Sequence, residues 1–354
     1  DRLEFIRIKP FIVKYRYVPE ILQGESPTIF EFSENRSSFS SWDDIKAKAR
    51  AWKEAVRPLS LTASLVPLLL GGALAFSVLH TLNVWLFILT IVGGIMIQAG
   101  TNMINDWKDA DRDNENAEGI RPFTGGSRMI QLGLVSRADM GFFGMILSAI
   151  AAIIGFYLVA VSGWGLVPLI LYGLLAGVFY TAEKGKFSFI NLAPGLAEFL
   201  IATTFGVLMT MGAFYVQTGY FSLQAFLISL PVGVFISSVL LINQFQDAES
   251  DAKSGKKTLV VRLGKLKAKN LLIASFIAGY AIIALLPVLG YTTYNIYFAF
   301  LSVPFAVQAI RYAHQNYNKT AVDLISGNAH TAINHLFAGL LLVFAFIFNE
   351  LSIV

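Results

Sequence analysis

The chain has 354 residues, of which 55% are hydrophobic and only 14% are charged, and its formal net charge at pH 7 is +4. This composition excludes an ordinary soluble globular domain and an intrinsically disordered chain. The absence of cysteine excludes disulfides and thiolate chemistry. The basic residues form no stripe interleaved with aromatic residues, so no nucleic-acid partner is expected.

The first 57 residues differ in composition from the rest of the chain. Apolar and basic residues alternate in a strand-like manner over residues 3–18, and residues 24–41 are rich in Ser, Glu and Asn. From Trp42 to Val56, apolar residues recur at steps of three and four, which predicts an interfacial amphipathic helix or a lead-in helix that packs on the bundle. The predicted divisions are an N-terminal extension, an interfacial helix and a membrane domain: residues 1–41, 42–57 and 58–354.

Apolar runs of about 20 residues recur from Pro58 to Ile353, and a helix of that length crosses a hydrocarbon core of about 30 Å. We therefore predict an all-α fold: a polytopic membrane protein built as a bundle of nine transmembrane helices. The predicted spans are 58–80, 84–107, 138–161, 163–183, 191–215, 222–246, 268–289, 292–314 and 329–349.

The distribution of basic residues predicts the orientation of this bundle. With nine spans and a cytoplasmic N-terminus, all 27 Lys and Arg residues fall on the cytoplasmic side. The first 30 residues show no cleavable signal peptide, so insertion is expected to rely on the first membrane helix. The prediction is a multi-pass protein of the cell membrane, with its N-terminus and larger loops in the cytoplasm.

A nine-residue pattern, Asn-x-x-x-Asp-x-x-x-Asp, occurs twice, at the ends of the second and sixth predicted spans. Steps of four residues keep side chains on one helix face, so each copy predicts a row of oxygen ligands. Both rows fall at helix C-termini on the basic side, where the helix dipole favours a cation. The rows are Asn105, Asp109, Asp113 and Asn243, Asp247, Asp251.

The chemistry of these rows suits a divalent metal with a diphosphate. In the first row, Asp106 and Asp111 add to the carboxylates of Asp109 and Asp113, and a bound cation relieves their mutual repulsion. Mg²⁺ prefers oxygen ligands and usually bridges one or two carboxylates to substrate phosphates. A single copy of the pattern would equally fit a solvated acidic loop, but two copies on the same side favour the metal site.

Other polar residues near the rows suit the anionic part of such a ligand. Arg binds phosphate bidentately and Lys binds it as a point charge. Lys184 shares a helix face with Tyr180, although it could equally extend to the lipid headgroups. Glu198 lies inside an apolar run, where a carboxylate is a candidate functional group or a satisfied packing residue. The further candidates for binding the ligand are Arg57, Asn102, Arg121, Arg128, Asn243 and Lys257.

These motifs resemble those of the UbiA superfamily of intramembrane aromatic prenyltransferases. The resemblance covers residues 50–354 and is carried by the two aspartate rows, the Tyr180-x-x-x-Lys184 step and the nine predicted helices. Within the superfamily, the chain is most similar to the 1,4-dihydroxy-2-naphthoate branch. That similarity is carried by the second row, Lys257-Thr258-Leu259, Val261-Arg262-Leu263-Gly264, Thr124-Gly125-Gly126-Ser127 and Gly195-Leu196-Ala197-Glu198. The sequence departs from the branch at Glu183-Lys184-Gly185, where Gly-Gly-Pro is expected.

The resemblance implies the ligands and the reaction. Two Mg²⁺ ions would bridge the diphosphate of a polyprenyl donor, whose tail lies among membrane lipid, beneath capping loops on the cytoplasmic side. Asp109, Asp247, Tyr180, Lys184 and Glu198 would be catalytic. The acceptor would be 1,4-dihydroxy-2-naphthoate, decarboxylated to give demethylmenaquinone, with 4-hydroxybenzoate, homogentisate or a glycerol-phosphate lipid as alternatives. The implied metal ligands are Asn105, Asp106, Asp109, Asp113, Asp247 and Asp251.

An ion-coupled membrane transporter is the alternative from another class, because intramembrane carboxylates also mark ion pathways. A transport site is expected near the bilayer midplane, between broken helices. The aspartate rows are predicted at one membrane face instead, which favours the enzyme.

Overall fold

A computed structural model describes residues 3–8, 11–16, 42–115, 126–180 and 189–351, with side chains for 48–111, 126–177 and 190–351. The strand-like pattern near the N-terminus is confirmed. Strand β1 (Leu3–Ile8) pairs antiparallel with β2 (Phe11–Arg16). From residue 42 onward, the described residues are helices and connecting turns, and they contain no strand.

Thirteen α-helices follow the hairpin in the described residues. Helices α7 and α8 are joined by a π-helical segment, Ala202–Leu208, and 3₁₀ segments precede α12 (Tyr294–Ser302) and α13 (Val322–Leu324). The helices are α1 (Trp42–Ala55), α2 (Pro58–Leu79), α3 (Val84–Glu115), α4 (Arg137–Ser162), α5 (Leu166–Tyr180), α6 (Phe189–Leu192), α7 (Leu196–Ile201), α8 (Met209–Thr218), α9 (Leu223–Lys253), α10 (Leu259–Leu263), α11 (Lys265–Val288), α12 (Val303–Asn316) and α13 (Ile325–Leu351).

Eight helical stretches in the described residues are long and apolar enough to cross a membrane, and they coincide with eight of the nine predicted spans. The remaining predicted span coincides with α5, which has 15 residues in the described part. Fifteen residues extend only about 22 Å at 1.5 Å per residue. The multi-pass helical architecture is confirmed, and the span predicted at residues 163–183 stays a prediction.

Helices α2 and α13 run parallel through the bundle. Gly339 of α13 lies so close to Val66 of α2 that a Cβ atom on the glycine would overlap the valine side chain. Beyond this contact, His80 follows the C-terminus of α2 and pairs with Glu350 near the end of α13. The C-termini of both helices therefore lie at one end of the bundle, and both N-termini lie at the other end.

The packing core surrounds α2 and α9. Buried Leu70, Phe214, Phe235 and Phe276 belong to one continuous apolar cluster contributed by α2, α8, α9 and α11. In a bilayer, the backbone polar groups of a spanning segment must be satisfied internally, and a helix does this for most of its residues. The outer residues of α4 and α5, including Phe156, remain exposed for contact with lipid.

The predicted helix after residue 41 forms as α1. Its buried Ala51 and Ala55 pack against Met103 of α3 and Met140 of α4, with Met129 from the intervening turn in the same cluster. The alternative of a helix that packs on the bundle is therefore observed. A location at the membrane interface stays a prediction.

Candidate active site

The first aspartate row lies on the last turns of α3. This helix continues to Glu115, so the backbone at Asn105, Asp109 and Asp113 is helical, as the four-residue spacing predicts. Asn105 and Asp109 are half-buried. The side chain of Asp113 lies outside the described residues. The row thus begins at the edge of the bundle, where polar groups can meet both protein and ligand.

Asp106, the neighbour of this row, has both carboxylate oxygens engaged. Its Oδ1 pairs with the guanidinium Nη2 of Arg57, and its Oδ2 accepts hydrogen bonds from the Ser127 hydroxyl at 2.5 Å and the Ser127 backbone N–H at 3.1 Å. The side chain is buried, with 5% exposure for the residue. Asp106 therefore joins the start of α2 to the turn that precedes α4.

The two arginines nearest this contact have left-handed backbones. Arg57 has φ 54° and caps α2, whereas Arg128 has φ 62° and follows Ser127. A residue other than glycine in this region costs about 1–3 kcal/mol and persists only where the surrounding structure enforces it. Such residues are concentrated at functional sites, and the binding role of both arginines stays a prediction.

Hydrogen bonds fix α3 against the start of α2. Asn102 donates from its amide to the Val56 carbonyl at 3.2 Å and to the Ser60 hydroxyl at 2.8 Å. One turn deeper, Gln98 donates to the Ser60 carbonyl at 2.6 Å. Asn102, predicted to bind the ligand directly, thus holds the junction that leads into Arg57.

The second row lies on the last turns of α9. Asn243, Asp247 and Asp251 are all half-buried and follow one another at successive helical turns. The amide of Asn328, near the start of α13, donates a 2.7 Å hydrogen bond to Asn243 Oδ1. Asn328 is fully buried, so this bond fixes the first member of the row.

The two rows lie at the same end of the bundle. The first adjoins the start of α2 through Asp106 and Arg57, and the second adjoins the start of α13 through Asn243 and Asn328. Because α2 and α13 are parallel and joined by His80 and Glu350 at their other ends, both starts are on one side.

The segment after the second row is pinned to α6 by its backbone. Asn191 Oδ1 accepts the Lys257 N–H at 2.8 Å, and the Arg262 guanidinium donates to the Asn191 carbonyl at 2.7 Å and to the Lys257 carbonyl at 2.8 Å. The side chain of Lys257 is exposed. Lys257 is therefore held in place while its ammonium group stays accessible.

Glu198 is buried but lies nearer the end of its helix than the sequence suggested. It is in the first turn of α7, after Gly195, whose φ of 80° ends the preceding segment. Its Oε1 accepts a 2.5 Å hydrogen bond from Gln244 Nε2, and Gln244 Oε1 accepts the Val260 N–H at 3.3 Å. The predicted span 191–215 put Glu198 about two turns inside its helix, and this was wrong because α7 begins at Leu196.

The structure leaves several predicted residues unplaced. Arg121 and Lys184 lie outside the described residues, and Tyr180 is placed only as the last residue of the α5 backbone. Four residues that were not predicted contact predicted site residues: Ser127, Asn191, Gln244 and Asn328. Gln244 and Asn328 have a recognisable signal, since each is a polar residue in or beside an apolar run. The partners of Asn191 are about 66 and 71 positions away and have no local signal.

The donor set fits Mg²⁺ shared with a phosphate ligand. Within the described residues, no three His, Cys, Asp or Glu side chains converge in a way that would hold a metal by protein groups alone. Mg²⁺ does not require such a cage, because it is usually bound through one or two carboxylates, waters and substrate phosphates. The half-buried oxygen groups of Asp109, Asp247 and Asp251 match that chemistry.

Residues 64–326 match the sequence profile of the UbiA prenyltransferase family. The chain belongs to the UbiA prenyltransferase family. It is 30% identical over 300 residues to a 1,4-dihydroxy-2-naphthoate octaprenyltransferase of Bacillus subtilis, covering 82% of this chain and 89% of that protein. It is 26% identical over 301 residues to a 2-carboxy-1,4-naphthoquinone phytyltransferase of Synechocystis, covering 84% and 92%.

The fold agrees with this membership. A UbiA homologue from Archaeoglobus fulgidus, solved with DMAPP and Mg²⁺, superimposes with a TM-score of 0.62 at 14% identity, covering 86% of this chain and 99% of that one. This UbiA protein is a multi-pass membrane prenyltransferase. The alternative of an ion-coupled transporter is set aside.

Proposed function

We propose that this UbiA protein transfers a polyprenyl group from a polyprenyl diphosphate to 1,4-dihydroxy-2-naphthoate. The diphosphate and CO₂ leave, and the product is the hydroquinone form of demethylmenaquinone. The observation that carries the proposal is the pair of oxygen-rich rows at one end of an apolar bundle. The choice of acceptor is supported by the Bacillus subtilis relative, whose name specifies that reaction and which aligns over 89% of its length.

The rows are proposed to hold two Mg²⁺ ions with the donor diphosphate. The proposed ligands with described backbones are Asn105, Asp109, Asp113, Asn243, Asp247 and Asp251. Bound Mg²⁺ would neutralise the charge that develops on the departing diphosphate. Asp109 and Asp247 supply the central carboxylate of each row, and the bond from Asn328 orients Asn243.

Cationic side chains are proposed to complete the binding of the diphosphate. Arg57 and Arg128 lie beside the first row, and Lys257 lies beside the second on a pinned backbone. Charged donors directed at a leaving group are effective when they are preorganised in a site that excludes water. Arg121, Tyr180 and Lys184 are proposed to serve the same anion, as the family resemblance implies.

The proposed reaction breaks two bonds and forms one, and the atoms and charges balance. Heterolysis of the allylic C–O bond leaves its electron pair on the diphosphate and a cation on the prenyl chain. The ring carbon that bears the carboxylate attacks this cation, and the C–C bond pair released with CO₂ restores the aromatic ring. No net proton is required. We propose that Glu198 accepts a hydrogen bond from a ring hydroxyl, which increases the electron density of the ring.

The direct test is the stoichiometry of the products. The purified chain in lipid nanodiscs is given a polyprenyl diphosphate, Mg²⁺ and carboxyl-labelled 1,4-dihydroxy-2-naphthoate, and CO₂ and diphosphate are measured together. We expect one CO₂ per diphosphate and little reaction with 4-hydroxybenzoate, whose ring C–H would be replaced. Diphosphate release without CO₂, or a preference for 4-hydroxybenzoate, would overturn the naphthoate assignment and leave prenyl transfer standing.

A further inference from the structure

We propose that Asp106 is a positioning residue that fixes Arg57 and the Gly126–Arg128 turn around the donor diphosphate. This role replaces that of metal ligand, which its place in the motif suggests. The inference rests on the proposed function, because it concerns how the diphosphate is bound. It assigns different roles to two nearby carboxylates of one helix. Asp109 would bind the metal, and Asp106 would hold Arg57 and Ser127 in place.

The hydrogen bonds of Asp106 leave little capacity for a metal. A carboxylate offers about four lone-pair positions, two on each oxygen. The hydroxyl and N–H of Ser127 occupy both positions on Oδ2, and Arg57 takes one on Oδ1. One position remains, on Oδ1, and a Mg²⁺ ion there would lie beside the positively charged Arg57 guanidinium, which disfavours it.

Burial separates Asp106 from the members of the two rows. Asp106 is 5% exposed, whereas Asp109, Asp247 and Asp251 are half-buried. A buried carboxylate is stabilised by a partner of opposite charge and by hydrogen-bond donors, and Asp106 has both. Its environment is that of an internal connection between segments.

The segments that Asp106 joins need such a connection. Arg57, Gly126 and Arg128 all have positive φ, so the backbone on both sides of Asp106 takes an uncommon conformation. Met129, next to this turn, packs in the same cluster as Ala51 and Ala55 of α1. Asp106 thus ties the start of α2 and the turn before α4 to the helix that carries the first row, and Met129 packs that turn against α1.

The pairing also sets the direction of the Arg57 guanidinium. That group carries five N–H donors in a fixed plane, so a bond at one terminal nitrogen restricts the directions of the others. Asp106 is bonded to Nη2 of Arg57. Loss of Asp106 should therefore weaken donor binding through Arg57 and leave metal affinity unchanged.

The first experiment separates the two roles by metal binding rather than by turnover. Mn²⁺ is titrated into the full chain in nanodiscs, with a non-reactive prenyl thiolodiphosphate bound, and is followed by electron paramagnetic resonance. Asp106→Asn should keep Mn²⁺ affinity within about twofold, and Asp109→Asn should lose at least about tenfold. An equal loss in both variants would overturn the proposal.

The second experiment tests the coupling between Asp106 and Arg57. Binding of the thiolodiphosphate without metal is measured for Arg57→Gln, Asp106→Asn and the double variant. If Asp106 acts partly through Arg57, each single change weakens binding by about tenfold and the double variant loses clearly less than the hundredfold expected of independent effects. Additive losses would overturn the proposal.

A second ion pair between the same regions supplies the control. Asp111 of α3 and Arg137 of α4 form an exposed pair with an N–O distance of 2.9 Å. Asp111→Asn and Arg137→Gln should each leave donor affinity within twofold.

If Asp106→Asn does not fold, two milder variants provide the same test. Ser127→Ala removes the 2.5 Å bond to Oδ2 and retains the backbone bond, and Arg57→Lys retains the charge but not the planar donor group. Both should weaken donor binding and leave Mn²⁺ affinity unchanged, and a loss of Mn²⁺ affinity in either would contradict the inference. If the wild-type chain bound neither Mn²⁺ nor the thiolodiphosphate, the proposed function itself would fail.

Discussion

Asn328 donates a 2.7 Å hydrogen bond to the side-chain oxygen of Asn243 across the interface between α13 and α9. The donor is fully buried and the acceptor is half-buried at the head of the second aspartate row. The last membrane helix thereby determines how the row on α9 is presented. Helix α13 also packs along α2, whose first residues contact Asp106 beside the first row. The same helix therefore connects the surroundings of the two rows.

Replacement of Asn328 should therefore impair the second row from a distance. In Asn328→Ala, Asn243 loses the donor that orients its amide, and a cavity replaces the buried side chain. We expect a loss of about 1–3 kcal/mol in stability and a higher KM for the donor. Thr331→Val is the matched control, since it removes only a bond within α13, to the Gly327 carbonyl. An unchanged KM in Asn328→Ala would show that Asn243 needs no such support.

The central carboxylates should be essential for turnover and dispensable for folding. Asp109→Ala and Asp247→Ala each remove an oxygen ligand from a half-buried position, so we expect activity to fall by about 100-fold or more with the melting temperature little changed. The measurement is prenyl transfer over a range of Mg²⁺ concentrations. Asp139→Ala, at an exposed position in the first turn of α4, should stay within twofold of wild type. Near-normal transfer by either row variant would refute the two-row site.

The orientation of the bundle can be tested with single cysteines, because the natural chain has none. Thr81 and Ser254 are both exposed, the first in the turn after α2 and the second just after α9. Since basic residues are predicted on the cytoplasmic side, Ser254→Cys should react with an impermeant maleimide only from the cytoplasmic face. Thr81→Cys should react only from the opposite face. Labelling of both from one face would refute the span assignment.

The parts of this molecule that were predictable from sequence depend on local patterns. A four-residue step places Asp247 and Asp251 on one helix face wherever the helix lies, and apolar length alone identifies eight spans. The start of α7 was not predicted because Pro194 and Gly195 lie between apolar residues. These two residues end the preceding segment, so the helix begins after them. That error placed Glu198 about one turn too far from the start of its helix.

Other features depend on contacts between distant segments. The pairing of Asn328 with Asn243 joins positions 85 apart, and Asp106 meets Arg57 across 49 positions. No periodicity contains such information. The left-handed backbone of Arg57 is equally hidden, because local preferences disfavour it and only the surrounding contacts enforce it.

The crossing of α9 with the π-helical segment depends on two glycines. A Cβ atom added to Gly206 would overlap the backbone of Gly233, and one added to Gly233 would lie 2.7 Å from the Ala202 carbonyl oxygen. Gly206→Ala should therefore force the helices apart and cost about 1–3 kcal/mol, measured by thermal unfolding in detergent. Gly173→Ala on α5 is the control: its Cβ would meet nothing within 4 Å, so stability should not fall and should rise by at most about 1 kcal/mol. Equal effects would mean that the crossing is not tightly packed.

Glu198 allows the acceptor role to be separated from a structural one. Its Oε1 is bonded to Gln244, and a glutamine at position 198 could still accept that bond. If the carboxylate interacts with a ring hydroxyl, Glu198→Gln should slow turnover by about 100-fold and leave the KM for the donor within twofold. Gln244→Ala breaks the same bond but retains the carboxylate, so it should lower stability more than turnover. If Gln244→Ala instead lowered turnover as much as Glu198→Gln, the carboxylate would serve only to hold α7 against α9.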